Sequence, residues 1–164
     1  MCGIAGAFAF GPNSGPVNSS IISRLNDLQR HRGPDGSGLW SSEDKRVVFG
    51  HRRLAIIDTG STGAQPMSDA TGRWTITFNG EIYNYRALRL ELERLGCMFS
   101  TKSDTEVLIN AIAQWGEEAL LKLRGMYAFA LWDALNQELW LARDRKSTRL
   151  NSSHSRASRM PSSA

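Results

Sequence analysis

The segment MCGIAGAFAF, residues 1–10, decides how the rest of the chain is read. Glycines at 3 and 6 with alternating bulk at Ile4, Phe8 and Phe10 predict a strand whose backbone lies close against another. Cys2 stands directly behind the initiator methionine, and its small side chain permits removal of Met1. Removal leaves a thiol and a free α-amine on one residue. An α-amine titrates at about 7.7–8.0 and a thiol at about 8.5, so near neutral pH a small bias yields thiolate beside ammonium. That residue is nucleophile and base at once and needs no histidine partner. The bland alternative is a small hydrophobe that happens to follow methionine.

Outward from this segment, GPNSGP (residues 11–16) forces a loop. With Ser19 or Ser20 as cap, Ile21, Ile22, Leu25 and Leu28 recur at helical spacing, and the helix ends before HRGPDGSG, residues 31–38. Gly33, Pro34 and Gly36 predict a turn there. Strand character returns at Val47–His51, Leu54–Asp58 and Trp74–Asn79, the last two separated by GSTGAQPMSD, residues 60–69. The period then changes. Tyr85, Leu88, Leu92 and Leu95 predict a second helix closed by Gly96, and Cys97, beside Met98 and Phe99, reads as a core hydrophobe on a short strand. A third helix starts at Ser103 or Asp104 and presents Val107, Leu108, Ala111, Ile112 and Trp115 on one face. Met126–Trp132 and Glu138–Ala142 read as closing strands joined through ALNQ. Strands at both ends around clustered helices predict α+β layers with largely antiparallel sheets in one domain, residues 1–145.

Composition removes several functional classes. With 164 residues, 41% hydrophobic and 22% charged, the chain suits one globular domain. No run approaches the roughly 18 apolar residues of a membrane span, and no basic segment leads into an apolar signal core, so a cytoplasmic protein is expected. Two cysteines supply neither a disulfide framework nor a zinc site, so no metal is expected. The net charge of +4 sits in residues 146–164, which carry Lys146, Arg149, Arg156 and Arg159 and no acid. This serine-rich tail has only Leu150 and Met160 as large apolar groups and is expected to be disordered. It resembles translated vector or adapter sequence. Because it lacks aromatic residues to stack on bases, a nucleic-acid-binding arm is not the reading adopted.

Five segments, MCGIAGAF, RHRGPDGSG, GHRRLAIID, NGEIYNY and KSDTEVL, occur in the order and approximate spacing of the glutaminase domain of glutamine-hydrolysing asparagine synthetases. The chain resembles that family over residues 1–145. Five motifs in register are far more specific than any one of them. The resemblance implies a class II glutamine amidotransferase with the N-terminal-nucleophile hydrolase fold: two stacked antiparallel sheets between helix layers, here without the domain's last strands. It implies that Cys2 attacks the glutamine side-chain amide, and that Asn79 and Gly80 hold the oxyanion. Arg53 would take the substrate carboxylate and Glu81 and Asp104 its ammonium, while Leu54, Ala55, Ile56 and Ile57 line the pocket through backbone groups. Arg32 and Gly33 would support the nucleophile. Each residue also has a simpler reading: Asn79–Gly80 as a hairpin turn, Asp104 as a helix cap, Arg53 as a solvated strand charge. His31 and His51 are expected to serve packing or loops.

The fragment itself is expected to need no cofactor. ATP and Mg2+ belong to a synthetase domain in cis, absent here, that would turn aspartate into asparagine, and the full-length protein is expected to form a homodimer. Alternatives are the amidotransferase half of an enzyme with another acceptor, in cell-envelope or aminosugar metabolism, and a catalytically silent interaction module.

Overall fold

The structure, a computed structural model, describes residues 2–11, 13–56, 60–144 and 154–158. Strand β1 (Gly3–Phe8) is followed by helix α1 (Ser19–Leu28), β2 (Gly36–Ser41) and β3 (Val47–Arg53). A two-residue strand β4 (Met67–Ser68) precedes β5 (Trp74–Ile82), helices α2 (Tyr85–Arg94), α3 (Asp104–Trp115) and α4 (Ala119–Lys122), and strands β6 (Gly125–Asp133), β7 (Glu138–Arg143) and β8 (His154–Ser158). They form two sheets, ordered β1-β3-β2 and β4-β5-β6-β7-β8, with every pairing antiparallel. The α+β expectation holds.

Alternation along β3 makes the layers. Val47 and Phe49 face the second sheet and pack with Trp132 and Leu139, and the Phe8 ring meets Trp132 edge-on at 5.4 Å. On the opposite face Gly50 lies against Ile22 and Asn26 of α1, and Arg52 donates to the Asn26 carbonyl at 3.0 Å. One face of the strand therefore binds a sheet and the other a helix. On β5 the same period sends Ile76, Phe78 and Ile82 into a core with Leu88, Leu92, Leu108 and Ile112 of α2 and α3. Thr77 turns the other way and donates to the Gly50 carbonyl at 3.4 Å.

Several elements differ from the sequence reading. Asn18, rather than Ser19 or Ser20, caps α1, accepting from the Ser20 N–H. The glycine-rich stretch read as a turn contains β2, because six residues from Gly36 pair with Arg53–Val48 and the ladder overrides weak propensity. Leu54–Ile56 leave the sheet as loop, since β3 pairs only as far as Arg53; residues 57–58 of that predicted strand lie outside the described residues. Residues 97–99 form no strand, although Cys97 packs against the α2/α3 core as a small hydrophobe.

The predicted disordered tail differs at residues 154–158, which pair with Glu138–Ala142 of β7. An open strand edge presents backbone donors and acceptors that any extended segment can satisfy, whatever its side chains. The remainder of 146–164 lies outside the described residues, as does Met1.

Candidate active site

Cys2 immediately precedes β1, whose Gly3 pairs with Arg52, so the first described residue is brought to the end of β3. There its Sγ receives the Leu54 N–H at 3.3 Å and lies 3.6 Å from the Leu54 carbonyl. From the turn after α1, Arg32 donates through Nε to the Cys2 carbonyl at 3.3 Å. Gly33 is the seat of that turn. A Cβ at position 33 would fall 2.4 Å from the Arg52 carbonyl carbon, so no larger residue allows so close an approach to β3.

Asn79 and Gly80 lie inside β5, paired with Ala128 and Tyr127, and the hairpin-turn alternative is thereby excluded. Asn79 shares the strand face of Thr77, the face turned toward the first sheet. Gly80 is required by contact: a Cβ there would fall 2.3 Å from the Met126 carbonyl oxygen. The edge of β5 away from β6 carries the N–H groups of alternate residues. The Phe78 N–H donates to Gln65 Oε1 at 2.7 Å and the Ile82 N–H to Asp104 Oδ2 at 3.0 Å. Between them, the same alternation turns the Gly80 N–H into the cavity that Gly80 lines.

Cys2, Arg53, Leu54, Ile56, Asn79, Gly80, Glu81 and Asp104 all line this one cavity. Ala55 does not, and its N–H is held by Asp35 Oδ2 at 2.9 Å, so its backbone serves the loop that carries Leu54 and Ile56. Ile57 lies outside the described residues. Arg32 and Gly33 stand behind the cavity wall. Arg53 anchors through Nη1 on the Gly60 carbonyl at 2.7 Å.

Asp104 opens α3, but Ser103 is its cap, accepting from the Thr105 N–H at 3.0 Å. The Asp104 side chain instead crosses to β5. Burial pushes its carboxyl above the usual range, with Glu81 adding to the shift, while bonds from the Ile82, Thr105 and Asp104 N–H groups oppose it. A desolvated carboxylate beside a second acid gains most from an incoming cation.

The sequence reading missed the rest of the cavity, including Gln65, Phe78, Ser103, Thr105 and Met126. His51 is fully buried, and its Nε2 lies 3.1 Å from the Phe78 carbonyl. A carbonyl only accepts, so the proton is on Nε2 and the bare Nδ1 meets no partner among the described residues. Burial lowers the His51 pKa from 6.5 to about 4. Between those values the unfolded chain binds a proton that the folded chain refuses. His51 therefore contributes full stability above pH 6.5, and about 3 kcal/mol is expected to be lost as pH falls toward 4. Chemical denaturation across this range checks it: His51→Gln should flatten the dependence between pH 6.5 and 4, and an unchanged slope would refute the assignment.

Among the described residues no helix is long and apolar enough to cross a membrane, and no group of three or more His, Cys, Asp or Glu is placed to hold a metal. The glutamine amidotransferase domain model matches residues 1–149. Asparagine synthetase [glutamine-hydrolyzing] 1 of Bacillus subtilis is 46% identical over 145 residues, spanning 88% of this chain and 22% of the relative. Asparagine synthetase B of Escherichia coli is 38% identical over 145 residues, spanning 88% and 25%. The chain thus spans about a quarter of the length of the curated relatives it matches. In structure it resembles glutamine phosphoribosylpyrophosphate amidotransferase from B. subtilis, with a TM-score of 0.70 and 24% identity over 88% of this chain and 37% of that one. The last likeness concerns the fold alone, two antiparallel sheets with helices. With a family model over most of its length and relatives this similar in sequence, the chain belongs to the glutamine amidotransferase domain family.

Proposed function

We propose that this domain hydrolyses glutamine to glutamate and ammonia through Cys2. One observation supports the reading above others: a sulfur nucleophile, an Asn-Gly donor pair, a guanidinium and a buried carboxylate border a single cavity. With Met1 removed, the Cys2 α-amine takes the thiol proton and the thiolate adds to the side-chain amide carbon of glutamine. The carbonyl π electrons move to oxygen, where Asn79 Nδ2 and the Gly80 N–H meet the developing charge. Collapse breaks the C–N bond, the ammonium returns its proton to the departing nitrogen, and ammonia and a thioester result. Water then adds to the thioester as the α-amine accepts its proton. Expulsion of the thiolate frees glutamate, and reprotonation completes the cycle.

Arg53 pairs with the substrate α-carboxylate, and Asp104 with Glu81 receives its α-ammonium. A cation and two acids bordering one cavity select an amino acid zwitterion over a simple amide. In the longer protein, ammonia passes to a synthetase region in cis that uses ATP and Mg2+ to convert aspartate to asparagine, in the cytoplasm. Of this proposal only the making of asparagine with glutamine hydrolysis rests on the names of the curated relatives; ATP, Mg2+ and the cytoplasm are carried from the family resemblance, and the synthetase region concerns a part of those relatives outside this chain.

Incubation with the glutamine analogue 6-diazo-5-oxo-norleucine is expected to add one adduct to Cys2 in a protein lacking Met1. Peptide mass spectrometry reads both features together. Processed, folded protein that stays unmodified would sink the proposal.

A further inference from the structure

Strand β5 lacks a neighbour where the donors must be held. Strand β4 pairs only with Thr75 and Ile76, so from Phe78 onward the edge of β5 away from β6 has no ladder partner among the described residues. At Phe78 itself two side chains take the place of one, while Asp104 takes the Ile82 N–H further along. Gln65 Oε1 accepts the Phe78 N–H at 2.7 Å, and its Nε2 donates to Thr105 Oγ1 at 3.3 Å, tying this edge to the start of α3. His51 reaches from the first sheet and donates to the Phe78 carbonyl at 3.1 Å. That carbonyl belongs to the peptide whose nitrogen is Asn79, and Asn79 pairs on its other side with Ala128. The peptide is therefore gripped from both edges directly before the donor pair.

We propose that Gln65 and His51 are positioning residues for amide cleavage, a two-residue substitute for a strand that fixes the peptide plane at Phe78 and thereby aims Asn79 Nδ2 and the Gly80 N–H at the carbon attacked by Cys2. The inference rests on the glutaminase reading above. A purely structural histidine is a poor account of position 51. Its ring is wholly buried, one nitrogen meets no partner among the described residues, and an apolar residue would avoid the cost of both. What the imidazole supplies that an apolar side chain does not is a directed N–H at a fixed depth between the sheets. Gln65 similarly spends both ends of its amide on atoms that border the cavity instead of on substrate.

Oxyanion donors act only if they are in place before charge develops, and a displacement of about 1 Å costs on the order of 10²-fold in rate. Gln65→Leu, similar in size but unable to make either bond, is expected to lower kcat for glutamine hydrolysis about 10- to 100-fold with KM changed less than about threefold. His51→Leu should act in the same direction. His51→Gln, whose amide nitrogen reaches the place of Nε2, should recover kcat to within about threefold of the parent. Ammonia release by the 164-residue chain gives kcat and KM, and the denaturation midpoint of each variant is measured alongside. Should His51→Leu fail to fold, Gln65→Leu and His51→Gln still decide the matter. An active parent whose Gln65→Leu variant keeps kcat, or raises KM alone, overturns this inference and leaves the glutaminase reading standing. So does a loss of rate that merely tracks a lowered midpoint. A folded, processed parent that neither releases ammonia nor takes up the diazo analogue overturns both.

Discussion

Replacing Cys2 by alanine is expected to lower glutamine hydrolysis by at least about 10⁴-fold while glutamine still binds. The α-amine survives the change, and only the sulfur is lost. No other described group substitutes for it: Cys97, the second cysteine, packs against the α2/α3 core away from the cavity, and no histidine lines the cavity wall. Folding should be little affected, because among the described residues the Sγ is hydrogen-bonded to the Leu54 backbone alone, at 3.3 and 3.6 Å. Ammonia release under saturating glutamine measures the rate, and calorimetric titration measures binding. Residual hydrolysis within about tenfold of the parent would place the nucleophile elsewhere. A protein retaining Met1 should behave like the alanine variant, since its α-amine is then locked in a peptide bond.

The second large effect falls on the donor pair. Asn79→Ala is expected to reduce kcat by about 10²- to 10³-fold, or roughly 3–4 kcal/mol of transition-state stabilisation, with a much smaller change in KM. The asymmetry follows from when the bond matters: the carbonyl oxygen becomes strongly basic only as the tetrahedral intermediate forms. The substitution is also clean. Asn79 meets its β6 neighbour Ala128 through backbone pairing, which alanine retains, and its side chain lies on the half-buried face toward the first sheet. A KM effect larger than the kcat effect would show that Asn79 holds the ground-state substrate. Gly80 gives no such clean test, because any Cβ meets the Met126 carbonyl and moves the strands themselves.

The two experiments interrogate different links in one chain of cause. In the proposed reaction Cys2 would supply chemistry intrinsic to a residue, whereas Asn79 would supply chemistry that exists only because a strand aims it. Asp104 lies between these cases. Its carboxyl is pushed up by burial and by Glu81, yet three N–H groups hold its orientation, so it is oriented and electrostatically unsatisfied together. An α-ammonium relieves that situation, and the helix-cap role expected as its alternative belongs to Ser103.

Much of this was legible in the residues alone. Position 2 states its own chemistry, because a thiol and an amine on one residue need no partner brought by folding. Amphipathic spacing located α1, α2 and α3, since burial of one face writes its period into the residues, and runs of strand-forming residues between turn signals located β3, β5, β6 and β7. What the sequence left open are features decided by backbone pairing. Strand β2 is glycine-rich and reads as a turn until β3 supplies its ladder, and the apolar run after Arg53 reads as a strand although β3 pairs no further than Arg53. The Asn79–Gly80 dipeptide stood between turn and strand for the same reason, and only the register with Ala128 and Tyr127 decided it. Gln65 and His51 gave no local signal at all. Their partner, Phe78, is 13 and 27 residues away, and a hydrogen bond across that separation is a property of the stacked sheets. Composition and period thus determined which elements form, while position 2 and the five motifs in register singled out the proposed nucleophile. The tertiary structure decided where the donors point, because direction depends on which atoms lie beside a strand edge, and no single segment contains both sides of that edge.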